Sequence, residues 1–283
     1  MHFDAIVTII GIAITLLIVL YYLEMQRRAQ RREKRRNGLR AVEQGIALMT
    51  VFQQHRGISA ALLNGDQSFA TKQVAKQNEI DSMLGALSQM VARTPALASS
   101  QDSLKQLSEG WQKLRQQVRG LTPSQSFVEH TELVRSILYF IGDIGERAGL
   151  LESRDTRLVR LLETLLLRLP LLVETVGQAR AMGTGFAARG QCGAVGRIRL
   201  TFLGRRIDHC LSELDPALAE IGKDSQGKVK ALLELLTQRI IAPEHIDIAP
   251  ERYYQASTEA IDACLVLWRK AATMADIQLQ TAL

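Results

Sequence analysis

The sequence predicts an all-α protein: one N-terminal transmembrane helix, followed by about eight helices that form two four-helix bundles. Three observations predict it. Residues 5–23 carry no charge, the apolar residues beyond them recur at spacings of three and four, and no stretch alternates with period two long enough for a strand. Only 6 prolines interrupt the 283 residues.

The run from Ala5 to Leu23 has about the length a helix needs to cross a bilayer core. Tyr21 and Tyr22 stand at the end where an aromatic belt would lie, and an arginine-rich strip follows at once. Positive-inside bias then places the C-terminal side in the cytoplasm. A cleaved signal peptide would need a basic start, where the chain offers only His2 and Asp4, and a small-residue cleavage site that is missing. Residues 1–23 are therefore read as a retained anchor and 24–37 as a basic juxtamembrane segment that touches anionic headgroups. Residues 38–283 form the helical domain, with halves at about 38–152 and 153–283.

The net charge of +6 follows from this layout. Residues 24–40 hold eight basic side chains against Glu24 and Glu33, and setting these and Asp4 aside leaves the body one charge from neutral. Composition gives no reason to expect a nucleic-acid partner. Cys192, Cys210 and Cys264 lie far apart without metal or disulfide spacing, which suits a reducing compartment. Cys192 is either a small apolar filler or an exposed thiol at a helix end.

Helices are expected over about 38–64, 67–92, 96–119, 125–152, 156–189, 196–220, 223–241 and 250–281. Their breaks fall at Asn64-Gly65-Asp66, Thr94-Pro95, Thr122-Pro123, Ser153, Gly190, Asp215-Pro216 or Gly222, and Pro243 through Pro250. The leucine-rich run 161–173 is interrupted by Glu163 and Arg168, so it reads as a core helix that Pro170 should kink. The halves echo each other. Gln54-His55-Arg56-Gly57 parallels Gln178-Ala179-Arg180-Ala181, and Phe127 with Thr131-Glu132 parallels Tyr254 with Thr258-Glu259, at nearly equal offsets.

Two arginines interrupt apolar seams. One seam runs Val42, Ile46, Met49, Gln53, Arg56, Ala60, Leu63; the other runs Leu162, Leu166, Leu169, Val173, Val176, Arg180, Gly183, Ala187. A buried guanidinium keeps its proton and must be paired. The partner is either a protein acid such as Glu43, Glu174 or Glu259, or a bound anion. Small neighbours (Gly57, Ser59 and Ala60; Gly183, Thr184 and Ala187) leave space and hydroxyl donors for a planar oxyanion. Arg252 is either a third anion contact or a solvated arginine at a helix start. His55, one position from Arg56, should point outward.

The stretch Gln53-x-x-Arg56-Gly57-x-Ser59 resembles the opening signature of the nitrate- and nitrite-sensing (NIT) domain of bacterial receptors and antiterminators. Glu174 through Gly183, and Tyr253-Tyr254-x3-Thr258-Glu259, are similar to its second-half motifs, and the likeness spans about 40–281. The resemblance implies an all-helical sensor holding nitrate or nitrite between two bundles through Arg56 and Arg180, signalling by conformational change. Members usually carry an output module. Here the chain ends at Leu283 after the last helix, so the expected outlet is an unidentified downstream protein, with a homodimer as one further possibility.

No cofactor and no enzymatic activity are expected. The histidines His2, His55, His130, His209 and His245 form no metal pair, and no nucleophile elbow or phosphate loop is present. The alternative function is a membrane-tethered interaction scaffold whose buried arginines are structurally paired.

Overall fold

The computed structural model describes residues 2–281, with side chains from Ile10 to Gln280; the start of the expected anchor lies partly outside them and Leu283 wholly so. The first element is α1, His2–Leu63. It joins the apolar segment, the basic strip and the first bundle helix in one rod, where separate segments were expected. Asn37-Gly38 does not break it because Gly38 is a packing position: a Cβ there would lie 2.1 Å from Ala148 Cβ. From Ile10 to Leu23 the side chains are exposed, and the helix they belong to is long and apolar enough to cross a membrane. The strip stays exposed until Arg35, which turns inward and donates to the carbonyls of Gly149, at 3.0 Å, and Glu152.

Beyond α1 come α2 (Ala70–Arg93), α3 (Gln101–Gln117) and α4 (Pro123–Arg147), which pack with it as one group. Thr122 and Gln125 close a capping box at the start of α4. The second group holds α5 (Thr156–Glu163), α6 (Leu169–Arg189), α7 (Ala194–Ser212), the short α8 (Pro216–Ile221), α9 (Lys223–Leu236) and α10 (Pro250–Thr281). The expected helix 196–220 is split because Asp215 caps a new start at Pro216. A π-turn over Thr164–Arg168 links α5 to α6, immediately before Pro170. The ladder there slips by one residue, accommodating the proline's missing N–H. Gly190 ends α6 with φ +66° in the left-handed region.

The two groups share a continuous apolar core, and α1 meets both α6 and α10. That central position overturns the expectation for His55. Because α1 is covered on several sides, His55 is fully buried inside the first group while Arg56 turns toward the second. Its ring meets Trp111 edge to face at 5.0 Å, and Nδ1 lies 2.7 Å from His130 Nε2. His130 Nδ1 in turn lies 2.6 Å from the Ser126 carbonyl. A carbonyl only accepts, so His130 carries its proton on Nδ1 and His55 donates from its own Nδ1. Burial lowers the pKa of His55 to about 4 and, with the neighbouring His55 and Arg56 adding, that of His130 to about 3. The three cysteines are also buried, so Cys192 is filler and not an exposed thiol.

Two outcomes follow from this packing. Below pH 6.5 the unfolded chain takes up protons that the folded pair refuses, so stability present at pH 7 falls as pH drops toward 4. The slope is at most about 1.4 kcal/mol per pH unit for each histidine, and denaturation of a His55→Gln/His130→Gln variant should lack that share. Thermal unfolding of Gly38→Val should show a loss of about 1–3 kcal/mol, since α1 and α4 must separate to admit the side chain.

Candidate functional site

The face where α1, α4, α6 and α10 approach one another carries the polar residues that the seams place indoors. Arg56 is 1% exposed and Arg180 7%. Each guanidinium lies over an aromatic ring of the last helix in its own group: Arg56 is 5.4 Å from the Phe127 centroid and Arg180 5.1 Å from that of Tyr254. Each also donates to a threonine one turn further along, Thr131 and Thr258, both at 3.1 Å. Those hydroxyls pass their own protons back to the carbonyls of Phe127 and Tyr254. The Phe127/Thr131 and Tyr254/Thr258 repeat is thus the repeat of two arginine seats.

The seats differ in charge. Arg56 forms a two-pronged ion pair with Glu174 of α6, Nη1 to Oε1 at 2.7 Å and Nη2 to Oε2 at 3.3 Å. The buried carboxylate also accepts from Gln178 at 2.9 Å and Gln53 at 2.8 Å. Gly177 permits this approach: a Cβ would stand 3.1 Å from Arg56 Nη2. Of the two partners left open by the sequence, Arg56 therefore has the protein acid, Glu174. Arg180 forms no ion pair with a carboxylate among the described residues. Its pKa is lowered chiefly by burial and also by Arg56, against pulls from Tyr254, exposed Asp262 and Glu174. Four buried side-chain atoms lack hydrogen-bond partners among the described residues: Gln53 Oε1, His55 Nε2, Arg56 Nε and Thr184 Oγ1, the last one turn from Arg180.

Other expected site residues are placed elsewhere. The Ser59 hydroxyl accepts from Gln73 of α2 at 3.1 Å, a contact within the first group. Gly183 offers no room: a Cβ would lie 2.4 Å from the Tyr253 ring, which packs there and donates to the Ala179 carbonyl. Gly57 is half-buried with open space at its Cβ position. Arg252 is exposed on the first turn of α10, as a solvated arginine. Sequence reasoning had singled out neither Gln53 nor Gln178 as ligands of a carboxylate, although Gln53 stood as a polar break in the apolar seam.

Two buried guanidiniums, one carboxylate and spare donors form a cluster suited to holding an anion, with no nucleophile–base pair among its members. A solved structure described as that of the NasR transcription antiterminator superposes with a TM-score of 0.71 over 93% of this chain and 74% of the other, at 16% identity. The likeness at that identity is one of fold. None of the curated proteins matches. The sequence profile of the nitrate and nitrite sensing family matches residues 47–275, most of the chain, and the protein belongs to that family.

Proposed function

We propose that the protein is a membrane-anchored sensor that binds nitrate or nitrite between its two helical groups, with Arg180 as the principal handle. The observation that carries this reading is the unmatched charge of Arg180 in a nearly dry setting. Leaving a buried guanidinium uncompensated costs several kcal/mol, and a bound anion removes that cost. Thr184 Oγ1 and Arg56 Nε add unused hydrogen-bonding capacity, each group costing about 1–3 kcal/mol while unsatisfied. A flat oxyanion suits guanidinium donors, and family membership supports the choice of nitrate or nitrite.

The ligand would bridge the groups and favour the setting it binds more tightly, which is the only way a small anion moves such an equilibrium. α1 carries Arg56 and continues without a break into the apolar N-terminal segment, so a shift at the site would be felt along the rod. With the basic strip inside, the helical domain would lie in the cytoplasm and pass the signal to a partner protein. One observation favours the scaffold reading, the Arg56–Glu174 pair, since it gives one of the two arginines a structural partner.

Calorimetric titration of the full-length chain in detergent separates the readings. Nitrate or nitrite should release or absorb heat, and at 100 times the dissociation constant should stabilise the fold by about 2.7 kcal/mol. Arg180→Ala should abolish both effects, while Arg252→Ala should titrate like the unaltered protein. A folded chain indifferent to both anions leaves the scaffold.

A further inference from the structure

Glu174 is the only carboxylate that forms an ion pair with either buried arginine among the described residues, and it is held by three side chains. Arg56 grips both of its oxygens, Gln178 reaches Oε1 and Gln53 reaches Oε2. These side chains come from both helical groups, because Gln53 and Arg56 belong to α1 while Gln178 shares α6 with Glu174. A carboxylate so gripped cannot turn away without leaving several donors unpaired, each costing free energy in a dry setting. Its negative charge is a fixed part of the site.

Counting charges in the buried cluster gives Arg56 and Arg180 against Glu174, one positive charge in excess. The acids on the facing stretch of α10, Glu259 and Asp262, are exposed and screened by water. A singly charged anion would neutralise the excess. A doubly charged one would leave a net negative charge indoors, close to a carboxylate that cannot move away, and is disfavoured by that repulsion.

We infer that Glu174 sets the valence of the ligand, admitting singly charged anions and rejecting doubly charged ones by fixed-charge repulsion. This rests on the anion-binding reading above and assigns the discrimination to one residue. Glu174 would act through charge alone, so the side chain that accepts from Arg56 in the free protein would also choose what Arg180 binds.

The test is titration of the full-length chain with sodium nitrate and with sodium sulfate at constant ionic strength, unaltered and as Glu174→Gln. The unaltered chain should prefer nitrate by about tenfold or more, and Glu174→Gln, which raises the cluster to two positive charges, should cut that preference by about tenfold. An unchanged nitrate-to-sulfate ratio in Glu174→Gln overturns the inference. So does an unaltered chain that binds sulfate as tightly as nitrate, a result independent of whether the variant folds. Failure of the unaltered chain to bind either anion overturns the anion-site reading itself, and the inference with it.

Discussion

A guanidinium cannot shed its proton to escape a dry environment, and this fold buries two of them where α1 and α6 meet. Each must be balanced by something. Arg56 is balanced within the chain by Glu174, which comes from the other helical group and so ties the groups together. Removing one partner from such a buried pair typically costs about 3–5 kcal/mol, because the other is left charged and unpaired. Arg180 has an aromatic face and one threonine but no carboxylate clasp. The duplicated seats thus have unequal electrostatics, and the proposed anion site rests on that imbalance.

The supporting elements serve that arrangement. Gly38 brings α4 against α1, and Gly177 lets the Arg56 fork reach across to α6. His55, Trp111 and His130 fill the first group beside Arg56 with uncharged rings, His55 bonded to His130 and edge-on to Trp111. The π-turn before Pro170 absorbs the proline without ending the rod, which keeps Glu174 and Arg180 on one continuous run with α5. Tyr253 fills the space over Gly183 and fixes α10 against α6, which holds Tyr254 and Thr258 near Arg180.

Much of this was legible in the sequence. Seam periodicity alone placed Arg56 and Arg180 on apolar faces, and the repeated Phe127/Thr131 and Tyr254/Thr258 pairs marked the residues that line their seats. What stayed hidden was set by tertiary geometry. Glu174 was one of three acids that could have met Arg56, and only the crossing of α1 and α6 selects it across 118 positions. His55 was misjudged because a helix with one buried stripe turns its neighbour outward, whereas α1 is enclosed by both groups. Gly183 read as empty space because a missing side chain does not reveal whose ring will fill the gap. Helix continuity through Asn37-Gly38 was likewise invisible, since the glycine answers to Ala148 and not to a turn.

The most direct measurement is a crystal structure of the protein grown with nitrate. The account predicts a flat anion within hydrogen-bond reach of the Arg180 guanidinium, with the Arg56–Glu174 pair intact beside it. A nitrate-saturated crystal in which Arg180 is instead clasped by Asp262, or meets only water, would contradict it.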